Sequence, residues 1–389
     1  MMPMEIASGI YDVGATDWIV RDFHGYKTER GASYNSYLIV DEKICLIDTV
    51  KACYADELLE KIRRVADPAK IDYVVVNHVE PDHAGALPEV LKAAPNAKFV
   101  ITMQGKNEAL RHYGDGFDFM VVKEGDKISL GSRELTFVPM PMLHWPDNMV
   151  TYCPQDGILF SNDAFGQHYA SSKRFDDEVD EYVLFYEAKK YFANILWPYA
   201  RLIGGALKKA SALDIKMIAP AHGVIWRSKI AQILEKYAAW GTGVNGKSVV
   251  IAYDTMWGGT EALARAMVEG AAAAGVKVQL MRMDRTPCST VAAELFEAGG
   301  LLVGSPTLNS GMMPTIGGML VYLKGLQPKG KKAAAFGTCG WAGGAQKDME
   351  AMLTAGGFDL QPGFNCKWRA CIDETEAARQ FADEFAKNL

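Results

Sequence analysis

The run "NHVEPDHAG" at residues 77–85 holds two imidazoles and two carboxylates, His78, Glu80, Asp82 and His83, directly after the apolar run "IDYVVV". Burying such charges where a strand ends is costly unless they are paired or bind a metal. Imidazoles and carboxylates are common metal ligands in proteins. The run therefore predicts a metal site, although Glu80 and Asp82 alone could also be carboxylates that favour the start of a helix.

Three further metal-ligand residue types follow later strand patterns. His144 lies in "PMLHWPDN", Asp163 in "LFSNDAFG" and His222 in "APAHGVIW". Each is placed at a strand end before a turn, so all three could meet the first cluster at one edge of the sheets. An isolated histidine such as His222 is more often a hydrogen-bonded core or surface residue, and this alternative stays open for it.

The elements that would position these side chains are short β-rich runs interleaved with helical patterns, which suggest a mixed α/β layered domain. A chain of 389 residues is long enough for two domains. The glycine-rich stretch "WGTGVNGK" follows a mostly helical region, and we place the boundary near Asn245, giving domains 1–245 and 246–389.

The second part alternates strand and helix patterns, beginning with "KSVVIAYDT" and "EALARAMVEGAAAAG", which predicts a doubly wound parallel sheet. Ligands of such sheets sit beyond the carboxyl ends of the strands. There "TMWGGT" offers the hydroxyls of Thr255 and Thr260 and a flexible backbone at Gly258, a cradle for phosphate at a helix start. A plain turn capped by Thr260 is the alternative.

Two later turns, "GSPTLNSG" and "GTCGWAGG", are also rich in glycine and hydroxyl groups. The three turns together resemble flavodoxin, and Trp257 departs from its usual phosphate loop. The resemblance implies FMN, and the residues it assigns to the phosphate and the ring are Thr255, Met256, Trp257, Gly258, Thr260, Pro306, Thr307, Leu308, Asn309, Thr338, Cys339, Gly340, Trp341, Ala342 and Gly343.

The first half resembles the metallo-β-lactamase fold, an αββα sandwich whose motif H-x-H-x-D-H precedes a later His, Asp and His. Glu80 replaces the second histidine of that motif. With the flavodoxin-like half, the whole chain resembles the flavodiiron proteins, which include rubredoxin:oxygen oxidoreductase. The resemblance assigns seven ligands to two irons: His78, Glu80 and His144 to one, Asp82, His83 and His222 to the other, with Asp163 as the bridge.

The resemblance also offers His24 and Tyr191 as residues that could donate to a bound dioxygen species, with packing an equally good explanation of each. It implies an oxidoreductase that reduces dioxygen to water, or nitric oxide to nitrous oxide. It further implies electrons that arrive through FMN from an external carrier such as rubredoxin, and a head-to-tail homodimer.

Composition limits which binding partners and which cellular compartment we expect for the protein. The net charge of -6 and the charged fraction of 23% give no sign of a nucleic-acid partner. The seven scattered cysteines contain no C-x-x-C pair, and no secretory or membrane-spanning pattern is visible, so we expect a reduced cytoplasmic protein. Two alternatives are a zinc hydrolase of the metallo-β-lactamase fold fused to a flavodoxin-like domain, and an electron carrier without a catalytic metal.

Overall fold

The computed structural model describes residues 2–389. Its contacts divide the chain into two compact units. One contains residues 2–21, 28–191 and 201–241, and the other contains 22–27, 192–200 and 242–389.

In the part of the chain that the structure describes, the first unit has two sheets, a two-stranded ribbon and seven α-helices. Its strands are β1 Met4–Ala7, β2 Ile10–Asp12, β3 Ala15–Asp17, β4 Ala32–Tyr34, β5 Tyr37–Val40, β6 Ile44–Ile47, β7 Ile71–Val76, β8 Lys98–Ile101, β9 Asp118–Val121, β10 Lys127–Ser129, β11 Glu134–Pro139, β12 Met149–Cys153, β13 Ile158–Asn162 and β14 Met217–Pro220. Its α-helices are α1 Ala55–Arg63, α2 Pro81–Ala84, α3 Leu87–Ala93, α4 Met103–Tyr113, α5 Glu181–Tyr191, α6 Ala200–Ala210 and α7 Ile230–Thr242.

The larger sheet of this unit has the order β1-β2-β5-β6-β7-β8-β9 and the smaller has β10-β11-β12-β13-β14, while β3 pairs with β4. Strand β7 shows why the sequence folds this way. Its Val74 and Val76 join a core shared with the helices, whereas Val75 joins the core that both sheets share. Because successive side chains point to opposite faces, a strand buried on both faces reads as one continuous apolar run.

The second unit is a parallel sheet with helices on both faces. Its strands are β15 Gly246–Tyr253, β16 Lys277–Arg282, β17 Ala298–Pro306, β18 Lys332–Cys339, β19 Asp359–Leu360 and β20 Phe364–Lys367, and its helices are α8 Gly259–Ala273, α9 Cys288–Glu297, α10 Pro314–Leu326, α11 Ala345–Ala355 and α12 Ile372–Lys387. The order is β16-β15-β17-β18-β19, with β20 also paired to β18. All of these pairs are parallel, which confirms the predicted doubly wound sheet.

Two segments from the first half of the chain pack within this second unit. The amide of Lys27 donates to the Ser289 hydroxyl at 3.1 Å, and the Asn194 side chain donates to the Ser289 carbonyl at 3.1 Å. The Tyr322 hydroxyl donates to Asn194 at 2.7 Å. The boundary near Asn245 stays a prediction.

Among residues 2–389, no helix has the length and apolar character needed to cross a membrane.

Candidate metal centre and flavin site

The opening motif occupies the connection between β7 and α3. His78 and Glu80 lie in the loop, and Asp82 and His83 lie in the single turn of helix α2, which starts at Pro81. The side chains from the loop lie near Glu80, and those from the turn lie near Asp82. Four neighbouring residues therefore belong to two different halves of one cluster. His78 is 0% exposed and Asp82 and His83 are also buried, so water does not screen their interactions.

One half of the cluster gathers around Glu80. Its Oε2 lies 3.3 Å from Nε2 of His78 and 3.3 Å from Nε2 of His144. Oδ2 of Asp163 lies 3.7 Å from the same His78 nitrogen and 3.3 Å from that of His144. Two imidazoles and two carboxylates therefore point their donor atoms at a common place.

The other half gathers around Asp82. Its Oδ1 lies 3.3 Å from Nε2 of His83, and its Oδ2 lies 3.2 Å from Nε2 of His222. Oδ1 of Asp163 is 3.0 Å from the His83 nitrogen and 3.4 Å from the His222 nitrogen. The two oxygens of Asp163 thus face different halves, the arrangement that a carboxylate bridging two metal ions requires.

Three donor atoms of this cluster lack hydrogen-bond partners, and metal ions would supply partners for them. Oδ1 of Asp82, Nε2 of His83 and Oδ2 of Asp163 are buried and have no hydrogen-bond partner. Buried polar atoms are almost always bonded, so such atoms need an explanation. Donor groups also fall into two overlapping sets of suitable size, one with His78, Glu80, His83 and Asp163 and one with Asp82, His83 and His222. The residues fit a pair of metal ions.

Electrostatic interactions within the cluster lower the pKa of a carboxyl group and raise the pKa values of imidazoles. Burial opposes ionisation of Glu80, but the imidazoles of His144 and His78 hold the pKa of its carboxyl at about 2. Burial likewise opposes charge on His144 and His222, yet the carboxylates raise the pKa of these imidazoles to about 9 and about 10. The carboxylates of the cluster therefore attract cations, either as protons on the imidazoles or as metal ions.

Asp147 holds His78 from behind. Its two oxygens lie 3.0 and 2.9 Å from Nδ1 of His78, and Oδ2 also accepts the amide of Val79 at 2.8 Å. A carboxylate on Nδ1 keeps the proton there and leaves Nε2 free to bind a metal. On the other side, Nδ1 of His222 lies 2.7 Å from the carbonyl of Ser33.

A buried carboxylate, Asp48, ties together the two strand ends that carry ligands. It accepts the amide of Asn77 at 2.7 Å and its side-chain nitrogen at 3.0 Å, and it accepts the side chain of Asn162 at 3.2 Å. Asn77 precedes His78, and Asn162 precedes Asp163. The spacing of these two ligands therefore depends on Asp48.

Tyr191 and His168 lie beside the second half of the cluster. The Tyr191 hydroxyl donates to Oδ1 of Asp163 at 2.8 Å, and burial and that carboxylate hold the pKa of the phenol well above its usual value. The His168 ring lies 5.1 Å from the Tyr191 ring and 5.0 Å from the His222 ring. His24 is exposed and belongs to the segment 22–27 of the second unit.

The structure therefore brings all seven predicted ligands and Tyr191 into one cluster. Sequence reasoning missed three neighbours: Asp147, Asp48 and His168. Asp147 lies in the loop sequence "PDN", and Asp48 lies in "LIDT" directly after the last residue of β6. A polar residue at a strand or loop end was the signal for these two, and neither motif contains His168.

The three predicted flavin turns meet at the carboxyl ends of β15, β17 and β18. The Thr260 and Thr338 hydroxyls are 3.1 Å apart, and the amide of Thr307 donates to the carbonyl of Thr338 at 2.9 Å. Gly258 adopts a left-handed φ of 82° and donates its amide to the Thr255 hydroxyl at 3.1 Å. This turn brings the start of α8 to the same place.

Glycine is required at two points of these turns. A side chain at Gly344 would lie 1.9 Å from the carbonyl oxygen of Ser310, and one at Gly340 would lie 2.9 Å from the Trp368 ring. The close packing of turns leaves backbone rather than side chains at the site, as approach to a phosphate and a flat ring requires. Trp368, which the sequence did not indicate, forms part of this region with Trp341, the two ring centroids being 5.7 Å apart.

The rest of the predicted flavin-binding residues line the same turns. Pro306 ends β17, Leu308 bonds to Gly311 in both directions at 2.9 Å, and Asn309 has a left-handed φ of 48°. Cys339 ends β18 and is followed by Gly340, Trp341, Ala342 and Gly343. Met256 and Trp257 are exposed, with Trp257 at 96%.

Comparisons with known proteins agree with both halves. A family model described as ODP family beta lactamase matches residues 32–223, and a flavodoxin model matches residues 251–382. The chain is 46% identical to the nitric oxide reductase of Moorella thermoacetica over 94% of each chain.

Two solved structures are similar over the whole chain. The flavodiiron protein of Giardia intestinalis has a TM-score of 0.98 and 38% identity, with 100% of this chain and 96% of that one covered. The rubredoxin oxygen:oxidoreductase of Desulfovibrio gigas has a TM-score of 0.96 and 39% identity, with 100% and 98% covered.

Metal uptake should release protons at neutral pH. The pKa values of about 9 for His144 and about 10 for His222 mean that both imidazoles are protonated at pH 7 when no metal is bound. Ferrous iron must displace these protons. Titration of the metal-free protein under anaerobic conditions, in buffers of different ionisation enthalpy, should show proton release at pH 7 that declines as the pH rises through 9 and 10. Equal proton counts at pH 7 and pH 10.5 would contradict this electrostatic picture.

Asp147→Asn should weaken iron binding by roughly 10- to 100-fold, because the amide no longer fixes the proton on Nδ1 of His78. Iron content after dialysis against a graded series of chelator concentrations measures the effect. Asp115→Asn, at an exposed carboxylate outside the cluster, is the matched control and should leave iron content unchanged. Iron affinity equal to that of the unmodified protein would show that Asp147 does not orient His78.

Proposed function

We propose, from the premise that the chain belongs to the flavodiiron protein family, that it reduces dioxygen to water, with nitric oxide as a second substrate that is converted to nitrous oxide. The chain is an oxidoreductase, and its cofactors are FMN and a non-haem diiron site. The observation that carries the proposal is the split of the two Asp163 oxygens between two histidine-and-carboxylate groups.

We assign one iron to His78, Glu80 and His144, the other to Asp82, His83 and His222, and the bridge to Asp163. Glu80 takes the place of an imidazole, so each iron has two histidines and its own carboxylate, with a further carboxylate shared. This donor set suits redox-active iron better than the imidazole-rich sites of zinc hydrolases.

When loaded, two ferrous ions supply two electrons and reduced FMN supplies two more, which matches the four that dioxygen needs on its way to two waters. Nitric oxide needs two electrons for each nitrous oxide formed. The chain's own residues exclude water from the site and orient the ligands. Burial of the ligands keeps bulk water away, and Asp147 and the Ser33 carbonyl orient His78 and His222.

Tyr191 is the residue best placed to act on a diatomic ligand from this unit. Its hydroxyl donates to Asp163, one of the proposed ligands, and so lies beside the place where the metal pair would be held. His24 stays a second candidate for such a role, as the family resemblance suggested.

These 389 residues contain no C-x-x-C pair for a rubredoxin-type iron site. One structural relative is named a rubredoxin oxygen:oxidoreductase, and we propose rubredoxin or a similar small carrier as donor. We also propose a head-to-tail homodimer, in which the FMN of one subunit serves the diiron site of the other.

The decisive experiment compares dioxygen and nitric oxide on the same reduced protein. Full reduction should give one dioxygen consumed per chain without released hydrogen peroxide, and in a parallel sample nitrous oxide should form from nitric oxide. Comparison of the two rates ranks the substrates. Two zinc ions per chain with esterase activity and no consumption of either gas would favour the hydrolase alternative.

Asp163→Ala should abolish both gas reactions through loss of the iron pair, while FMN stays bound because its site lies in a different unit. Metal analysis and flavin absorbance measure the two cofactors separately. Asp115→Ala is the control. An Asp163→Ala protein that reduces dioxygen at the normal rate would show the ligand assignment to be wrong.

The dimer has its own test. Protein that lacks iron through Asp163→Ala and protein stripped of FMN should each be inactive, and mixing them after dissociation should restore part of the activity in hybrid dimers. A monomer by light scattering, active at the same rate per chain, would contradict the proposed arrangement.

A further inference from the structure

Two tyrosines join the proposed second iron site to the protein surface. Tyr34 is 0% exposed, and its ring packs edge-on against the His222 ring, with centroids 5.9 Å apart and an interplanar angle of 78°. The Tyr54 ring packs on the Tyr34 ring at 5.7 Å and is half-buried. The neighbouring residue, Cys53, is exposed and carries a free thiol. The aromatic contacts are therefore continuous from a ligand to the edge of the unit.

Both phenols share one proton acceptor. The Tyr34 hydroxyl donates to Oδ2 of Asp17 at 3.4 Å, and Asp17 is buried. Burial first, and the Asp17 carboxylate in addition, raise the pKa values of both Tyr34 and Tyr54, and for Tyr54 a hydrogen bond to that carboxylate contributes. The backbone amides of Ile19 and Val20 hold the other carboxylate oxygen at 3.2 and 3.0 Å. Asp17 is thus fixed where it can take a proton from either ring.

The Tyr34 ring also faces a positive charge. The ammonium group of Lys51 lies 4.6 Å from the centre of the ring. A cation over an aromatic face stabilises the neutral ring relative to its oxidised form. This contact makes removal of an electron from Tyr34 more difficult.

We propose that Tyr34 and Tyr54 form an exit route for oxidising equivalents, which protects the metal centre when dioxygen arrives before the flavin is reduced. The proposal rests on the proposed function. Two ferrous ions hold only two of the four electrons that dioxygen requires, so a site without reduced flavin is left strongly oxidising. Packing alone explains the rings, but not a shared buried carboxylate on two adjacent phenols that lead to the surface.

Electrons and protons balance at each step. Tyr34 would give one electron to the oxidant that dioxygen leaves at the metal site, and its O–H bond would break as the proton passes to the Asp17 carboxylate, which leaves a neutral phenoxyl radical. Tyr54 would then give one electron to that radical. The proton on Asp17 would return to Tyr34, and the Tyr54 proton would replace it on Asp17. A thiol at the surface, either Cys53 or an external one, would donate a hydrogen atom to Tyr54, and the proton left on Asp17 would pass to water. Two thiyl radicals formed in this way on different molecules would combine to a disulfide.

Trp145 offers a competing route. Its half-buried ring contacts His78 at 5.0 Å and His144 at 6.0 Å, on the side of the first iron. Among residues 2–389 no acidic group is bonded to the indole nitrogen, whereas each of the tyrosines has Asp17 within reach. A tryptophan radical would need to lose its proton elsewhere, so we expect the tyrosines to carry the charge.

The experiment uses the iron-loaded, FMN-containing protein with the metal site reduced and the flavin oxidised. Rapid mixing with dioxygen and freezing, followed by electron paramagnetic resonance, should show an organic radical whose spectrum narrows when the protein contains ring-deuterated tyrosine. Tyr34→Phe should lower the radical yield at least tenfold. Tyr54→Phe should leave the radical on Tyr34 and lengthen its lifetime several-fold. Tyr152→Phe, at a buried tyrosine whose hydroxyl donates to the Asp214 carbonyl, is the matched control.

Each outcome decides between the alternatives. Equal radical yield in Tyr34→Phe, or a radical that is insensitive to tyrosine deuteration and lost in Trp145→Phe, would overturn the route. Dioxygen uptake by the fully reduced protein is measured in parallel. Uptake without a tyrosyl radical in the oxidised-flavin sample refutes the route alone, whereas absence of uptake refutes the proposed function.

A second measurement does not require turnover. Flash-generated ruthenium(III) tris-bipyridine oxidises the same holoprotein from solution, and the tyrosyl signal should fall in Tyr54→Phe but not in Tyr152→Phe. In the Tyr34→Phe protein the signal should stay confined to Tyr54 and decay faster. Identical signals in all four proteins would overturn the route even if the chain had a different reaction.

Discussion

The rest of the first unit is organised around one buried carboxylate. Asp163 is 1% exposed and faces four imidazoles and the hydroxyl of Tyr191. A buried anion without positive partners would be very costly, and one whose two oxygens must each face a different cation leaves little freedom of position. The strands, the turn of α2 and the loop around His144 can be understood as the elements that bring positive or protonated groups to this point.

Its position is fixed through the backbone rather than through its own side chain. The amide of Asp163 donates to the Asn162 side chain at 2.8 Å, and Asn162 in turn is bonded to Asp48. Asp48 also holds Asn77, so a single carboxylate behind the cluster sets the distance between β7 and β13 where they end. Burial raises the pKa of Asp48 more than these hydrogen bonds lower it, which shows how little water reaches this level of the structure.

Sequence reasoning succeeded where a residue's type and its place in a local pattern were enough. The run "IDYVVV" was identifiable as a strand because both of its faces are buried, and the seven ligand types could be found because each follows such a run. Asp147, Asp48 and Tyr34 could not be found in this way. Asp147 reaches His78 from 69 residues away, and no local pattern predicts which of many polar residues will be paired across that distance. The segments at 22–27 and 192–200 were missed for the same reason, since their partners are helices far along the chain.

The two cofactor regions differ in exposure, and their proposed tasks explain the difference. The predicted flavin turns place Trp257 and Trp341 at the surface, 96% and 88% exposed, whereas five of the seven proposed iron ligands are buried and the other two, Glu80 and His144, are 15% and 13% exposed. A protein electron carrier can approach only a surface, while a diatomic gas can enter a buried site. Under the proposed function, electrons enter through the surface turns of the flavin region and are used together at the iron pair. The same burial that excludes water from the metal cluster also confines any strong oxidant formed there, and this confinement is the problem that the proposed Tyr34 and Tyr54 route addresses.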